Sequence, residues 1–399
     1  MSNSVESGNA VYLDHAASTP IDSTVLAAML PFFGAEFGNP SSLHASGRRA
    51  NRAIARARQG VARVVSAEPD EIVFTGSGTE SDNLAILGGA RGARGAGDHV
   101  VISAIEHKAV IESARRLKRE GFTVSIVPVD RDGLVSVERC LALVTPRTVL
   151  VSIMYANNEI GTVEPIKEIG AAIREKRAAN SYPIFHTDAC QAAGYLTLDV
   201  RSLGVDLMTL NGSKLYGPKG IGMLYRRRGV ELNPVIVGGE QEGGLRSGTE
   251  SVPLIVGFSE ALGRADSMRE SEAVRLSALR DYFIARILRE VPGALLNGHR
   301  QRRLPNNVHI SIPDVEGESL LLMLDDQGIA ASTGSACSAR DLKPSHVLAA
   351  IGQSEDLMHG SVRFSLGRST DRQAIDRVME VFPDIVARLS HMSALTAQV

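Results

Sequence analysis

The chain is predicted to be an α/β protein, with a large, mainly parallel sheet covered by helices and a smaller α+β domain toward the C-terminus. Three observations carry this reading. Short β-branched runs alternate with amphipathic stretches from about Glu71 to Leu210, and such alternation implies parallel strands joined by crossover helices. Beyond about residue 264 the alternation gives way to one long helical pattern and a few scattered strands. The 399 residues, 44% apolar and 22% charged, are enough for a large core and a second smaller one.

Taken in order, residues 72–75, 99–103, 124–127, 148–153, 184–186 and 207–210 read as strands. Segments 108–120 and 166–178 carry apolar residues at helical spacing. A helix over 267–290 follows, then a strand over 307–312, a loop around Cys337, a strand over 362–365 and a final helix. The expected division is an N-terminal segment, 1–14, packed with the small domain, a large domain over 15–263, and a small domain over 264–399 that carries the Cys337 loop. No internal repeat is present.

Composition excludes several classes. The 43 basic and 45 acidic side chains leave a formal charge of −2, which gives no electrostatic case for nucleic acid or an anionic membrane as direct partner. The run Arg226, Arg227, Arg228 is most simply a solvated turn. Cys140, Cys190 and Cys337 are too widely spaced for a disulfide framework or a metal pattern. Residues 1–9 are polar, unlike a signal peptide, and no apolar run reaches the length of a membrane span. A reducing, cytoplasmic setting is the expectation.

Ligands of parallel sheets bind beyond the carboxyl ends of the strands, and the chemically capable residues fall there. Lys214 follows one strand, and Asp188 ends another 26 residues earlier. A lysine and an acid at neighbouring strand ends can hold pyridoxal phosphate (PLP), the lysine as a Schiff base and the acid on the ring nitrogen. The alternative is a surface lysine that snorkels. The stretch Thr75 to Ser81 (Thr-Gly-Ser-Gly-Thr-Glu-Ser) follows a strand and opens a helix, so Gly78 and Thr79 can offer donors to a phosphate. Glycines at such turns also serve packing alone, and Glu80 fits a helix-start acid with no ligand contact.

His107 is either structural or an imidazole that stacks on a flat cofactor and moves protons. Asn157 and Asn158 suit a tight turn, or one amide can donate to a cofactor oxygen, as can Gln191. Cys337 lies among small polar residues, unlike Cys140 in its apolar run. Its thiol is either idle or a nucleophile. Arg363 alternates with apolar residues and is either a strand's solvated face or a fork for a substrate carboxylate.

Together these residues resemble the cysteine desulfurases, members of the class-V aminotransferase group of PLP enzymes. The resemblance runs from Tyr12 nearly to the C-terminus. It rests on residues 12–14 (Tyr-Leu-Asp), 38–42 (Gly-Asn-Pro-Ser-Ser), 79–83 (Thr-Glu-Ser-Asp-Asn), 106–108 (Glu-His-Lys), 157–161 (Asn-Asn-Glu-Ile-Gly) and 214–220 (Lys-Leu-Tyr-Gly-Pro-Lys-Gly). Segments 246–249 (Arg-Ser-Gly-Thr), 334–337 (Gly-Ser-Ala-Cys) and 363–367 (Arg-Phe-Ser-Leu-Gly) add to it. It implies the fold-type I architecture of PLP-dependent transferases and a homodimer with PLP in each subunit.

By position, the resemblance makes Lys214 the Schiff-base lysine, Asp188 the ring-nitrogen partner and His107 the stacking, proton-moving histidine. It places Asn158 and Gln191 on the cofactor's oxygen, and Gly78, Thr79, Asn211 and Ser213 around the cofactor. Thr249 would reach the phosphate of the neighbouring subunit, and Arg363 the carboxylate of L-cysteine. Cys337 would receive the sulfur as a persulfide, release of L-alanine would follow, and its thiolate can serve as a transient iron–sulfur cluster ligand. The sulfur acceptor would be an iron–sulfur scaffold, a tRNA-thiolating enzyme or a dedicated system, and the longer Cys337 loop suits direct hand-over to a protein.

The chain departs from the family pattern at Asn211 and Ser213, where serine and histidine are common, at Cys190, where threonine is usual, and at the Gly76-Ser77-Gly78 turn. These exchanges bear on cofactor affinity more than on reaction type. Two alternatives stand beside the desulfurase reading: a selenocysteine lyase or other class-V PLP enzyme, and a non-catalytic desulfurase-like scaffold.

Overall fold

The computed structural model describes residues 10–177, 182–333 and 344–396, so residues 1–9 and Cys337 lie outside the described residues. Strand β1 (Val11–Tyr12) belongs to the C-terminal part of the molecule. The next seven strands build one sheet: β2 (Ile72–Thr75), β3 (His99–Ser103), β4 (Thr123–Val127), β5 (Thr148–Ser152), β6 (Ile184–Asp188), β7 (Leu207–Asn211) and β8 (Gly222–Arg226). Their order is β2-β8-β7-β6-β5-β3-β4, with β8 antiparallel to both its neighbours and every other pair parallel.

Apolar runs without polar alternation mark strands buried on both faces, and the packing follows. Val101, Val151, Phe185 and Met208 point into one core with the helix Ile166–Lys176. Val100, Leu150, Ile184 and Leu207 point into the other with the helix Lys108–Arg119. The alternation is the period of two intrinsic to a strand. Each fully buried residue of this kind contributes about 1.5–3 kcal/mol over an exposed one.

The helix Val252–Glu290 is longer than the 267–290 predicted. Its first half buries Val252, Ile255, Phe258, Ala261 and Leu262 against the first core, and this broad apolar face masks the amphipathic rhythm. Gly257 also breaks the pattern, but there a Cβ would press on the Met29 sulfur at 2.5 Å. The second half turns Leu276, Phe283, Ile284 and Ile287 into a separate core with Leu13, Phe364 and Phe382. That core lies on a sheet of β9 (Leu295–Leu296), β10 (Asn307–Ser311) and β12 (Ser361–Ser365), while β1 pairs with β11 (Ile329–Ala330). The expected boundary at 263/264 thus falls inside one continuous helix.

The two parts meet at a clamp. Asn307 Nδ2 donates to Glu159 O at 2.8 Å, and Leu304 N–H donates to Gly161 O at 2.8 Å. Gly161 has φ +75° and packs its Cα against the Asn307 side chain, where a Cβ would sit 2.5 Å from Oδ1. Glycine alone suits that position. The clamp fixes the 157–161 turn, and with it one wall of the site. No helix among the described residues is long and apolar enough to cross a membrane.

Candidate active site

Because six strands run the same way, the loops after them share one edge of the sheet. The reversed strand β8 brings its first residue, Gly222, to that edge, paired with Thr75 and Asn211. A Cβ on Gly222 would run into the backbone of Ser77, so glycine lets the 76–79 turn fold across the start of β8.

A cavity of about 300 Å³ opens at this edge, the lower end of the range for small-molecule sites. Lys214, Asp188, His107 and Arg363 line it, and so do Gly78, Thr79, Asn158, Gln191 and Asn211. Thr249 is exposed and does not line the cavity of its own chain. Ser213 turns toward Asn211, and Cys337 is outside the described residues.

At one end Ser77 caps the helix that begins at Gly78, its Oγ accepting from Glu80 N–H at 3.1 Å. Helical structure runs on without a break through 92, so its positive N-terminal end faces the cavity. Glu80 is committed elsewhere: it accepts from Gly76 N–H at 2.8 Å and pairs with Arg246 at 2.9 Å. Three of the positions that depart from the family pattern touch one another here. A Cβ on Gly78 would lie 2.9 Å from Cys190 Sγ and 3.3 Å from Asn211 Nδ2. Asn211 Oδ1 accepts from both Ser213 N–H (3.0 Å) and Ser213 Oγ–H (3.1 Å). The amide orientation is thereby set, and Nδ2 points to the helix start as a donor.

At the other end Asp188, 6% exposed, closes β6 and accepts from Cys190 N–H at 2.9 Å. Lys214 leaves a one-turn 3₁₀ segment after β7 and donates from Nζ to Ala17 O. His107 caps the helix Lys108–Arg119, Nδ1 accepting from Ala109 N–H at 3.2 Å. In the neutral ring the proton therefore sits on Nε2, the nitrogen free to act at the cavity.

The ambiguous asparagines separate. Asn157 makes the turn: its Oδ1 accepts from Glu159 and Ile160 N–H, and its Nδ2 donates to Ile105 O. Asn158 lines the cavity, as does Gln191, which also donates to Ala16 O at 3.0 Å. Arg363 is not a solvated face. It is 3% exposed, and it donates from Nη1 to Asn158 O at 2.7 Å and from Nη2 to Asp14 at 3.0 Å. Its Nε is buried and has no partner among the described residues. The basic run is a solvated turn held by acids, Arg227 on Asp206 and Arg228 on Asp70.

Residues 11–378 match the model of the family described as aminotransferase class-V. The chain belongs to that family. Within the class-V aminotransferases it is similar to the cysteine desulfurase IscS of Methanosarcina thermophila, 47% identical over 97% of this chain and 94% of that protein. Among solved structures a NifS-like protein superposes with a TM-score of 0.89 at 34% identity, covering 95% of this chain and all of that one. A structure described as SspA in complex with cysteine superposes with a TM-score of 0.78 at 37% identity, over 89% and 98% of the two chains. Class-V aminotransferases and cysteine desulfurases are PLP-dependent, and this chain is a PLP-dependent enzyme of that family. The residues present fit the cofactor: donors and a helix start at one end, a buried carboxylate at the other, an imidazole and a lysine amine between.

Three groups of this class-V site were not singled out from sequence. Asp82 sits one helical turn after Gly78 and Thr79 and so reaches the same face. His346 and Glu159 also line the cavity; His346 Nε2 lies 3.0 Å from Glu106 O, and Ser345 Oγ donates to Glu159 at 2.5 Å. The i, i+3 spacing was a usable signal for Asp82. For the other two the pairing is between distant segments, which no local pattern reveals.

Burial shapes the charges behind the cavity. Cys190 and Cys140 have thiol pKa values pushed up by burial, Cys140 to about 12. Glu106 and Glu164 are raised by burial to about 8 from 4.5. Such groups hold a proton when folded that the unfolded chain has lost, so their favourable contribution is full below about 4.5 and disappears as pH rises toward 8. His186 is pushed down to about 4 and His309 to about 3, which opposes this slope below 6.5. The clean window is therefore pH 6.5 to 8. Urea unfolding there is expected to show stability falling as pH rises, and Glu164→Gln should flatten the slope by up to about 1.4 kcal/mol per pH unit. An unchanged slope would contradict a buried, protonated Glu164.

Proposed function

We propose that this chain removes sulfur from L-cysteine, releases L-alanine, and passes the sulfur as a persulfide on Cys337 to an acceptor protein. The observation that carries this is Arg363. Arg363, a buried guanidinium, lines the same cavity as Lys214 and Asp188, and so suits the carboxylate of a small amino acid. The cysteine-bound relative and the desulfurase relatives support that choice of substrate.

PLP, when bound, supplies an aldehyde for amines and a protonated ring that accepts electrons. Asp188 keeps the ring nitrogen protonated. Lys214 Nζ would hold the cofactor and would take the Cα proton of the substrate. His107 Nε2 stands at the cavity to move protons, and Asn158, Gln191, Asn211 and Thr79 orient the cofactor. The Cys337 thiolate forms an S–S bond to the substrate sulfur as the C–S bond breaks, and the substrate carbon gains a proton to become alanine.

A homodimer completes the reading. Residues 30–43 leave Leu30, Phe33, Phe37 and Leu43 exposed, a concentration of apolar surface that favours association. Exposed Thr249 then serves the neighbouring subunit's phosphate. Iron–sulfur cluster assembly is the setting proposed here, in line with the relatives named IscS. The test is to supply L-cysteine and a reducing thiol to the purified protein. Alanine and sulfide are expected in equal amounts. A protein that turns over selenocysteine and leaves cysteine untouched would be a lyase, and one that binds no PLP a scaffold.

A further inference from the structure

Asp82 is an acid with nowhere to put its charge. It is 1% exposed, and its Oδ1 has no hydrogen-bond partner among the described residues. A basic group beside it is His186 of β6, with Nε2 3.7 Å from Asp82 Oδ1. That imidazole is spoken for: Nδ1 lies 2.8 Å from Ser152 Oγ and Nε2 3.1 Å from Thr209 Oγ1. Burial also keeps it neutral, so it brings no positive charge.

The other groups around Asp82 are mostly acids and neutral groups. Ligand atoms of Asp82, Asp188 and His107 all lie within 4.8 Å of one another. From β6 and the turn after it come Asp188 and the neutral thiol of Cys190; from the loop after β3 come Glu106, itself protonated by burial, and His107; from β7 comes the Thr209 hydroxyl. Lys214 faces the same cavity and donates to Ala17 O. Two adjacent buried carboxylates do not both ionise.

We propose that Asp82 is held as a neutral carboxylic acid whose proton is shared with the Asp188 carboxylate, so that the two form a pair with a single negative charge at the ring-nitrogen end of the site. The role is one of positioning, and it rests on the PLP reading above. Burial and the neighbouring Asp188 both push the Asp82 carboxyl upward, in agreement. Carboxylate oxygens of the two lie within 4.8 Å of one another, a gap that one bridging water spans. The consequence is charge matching. One proton on the pair leaves one negative charge for one protonated ring nitrogen, whereas a doubly ionised pair would draw in a second proton of its own. The acid proton of Asp82 also fixes which Asp188 oxygen remains open to the ring.

The experiment is infrared spectroscopy of the protein at neutral pH, with and without PLP, comparing wild type with Asp82→Asn. The protonated-carboxyl C=O absorption, to which Glu106 and Glu164 also contribute, is expected to lose the intensity of one carboxyl in the variant; unchanged intensity would overturn the proposal. Cofactor release gives the second readout. Asp82→Ala, which removes the donor, should release PLP about tenfold faster than wild type, and Asp82→Asn, a neutral donor, should stay within about threefold. Equal acceleration in both variants would refute proton sharing. Should neither variant fold, wild-type protein labelled with ¹³C-aspartate must show one side-chain carboxyl still protonated at neutral pH, or the idea fails. A chain that binds no PLP would defeat the proposed function, yet the infrared and ¹³C readouts on the cofactor-free protein would still decide Asp82.

Discussion

Cys337→Ser is expected to yield a yellow protein that forms no measurable alanine from L-cysteine, a loss of at least about 10³-fold. The separation of colour from turnover is what the sequence and the cavity together require. The groups assigned to the cofactor, Lys214, Asp188, His107 and Asn211, all line the cavity. In the proposed reaction the thiol enters afterwards, as the nucleophile toward the substrate sulfur. A serine hydroxyl at that position is a far weaker nucleophile toward sulfur and cannot hold a persulfide. Absorbance reads the cofactor, and amino-acid analysis reads alanine. Alanine at the wild-type rate would remove Cys337 from the mechanism. Persistent selenocysteine turnover alongside lost cysteine turnover would show that the thiol is needed for sulfur alone.

Lys214→Ala is expected to have the opposite signature, losing colour and turnover together. Lys214 follows β7, lines the cavity and donates from Nζ to Ala17 O. Removing it removes both the covalent hold on the cofactor and the base for the Cα proton. Two such functions carried by one residue predict a fall of about 10³-fold or more in kcat, with PLP lost on dialysis. A small primary amine added to the PLP-supplemented variant should restore part of the rate if proton transfer is the second function. Unchanged spectra and rates would sink the assignment.

Strand ends were the legible part of the site. The runs that end at Asp188 and precede Lys214 and His107 are buried on both faces, so they read as strands, and a parallel sheet must deliver their ends to one edge. Arg363 was ambiguous because alternation looks the same whether the second face meets water or a cavity; only the fold shows Asp14 and Asn158 waiting for it. Ser213 was expected among the cofactor contacts. Its hydroxyl and N–H both donate to Asn211, a local turn bond that sequence position does not distinguish from a ligand contact. The start of the helix Val252–Glu290 was obscured by Gly257 and by a face wide enough to hide its period. His346 and Glu159 depend on two segments almost two hundred residues apart meeting at one wall, a relation set by tertiary packing.

That same helix has a mechanical consequence. Its 39 residues make about eleven turns, a span of nearly 60 Å, with one half embedded in each core. It acts as a keel. Rotating one core against the other would bend a continuous column of backbone hydrogen bonds whose only proline, Pro253, stands at its very beginning. The frame around the cavity is therefore stiff, and the traffic of substrate and product falls to the side chains and turns at its rim.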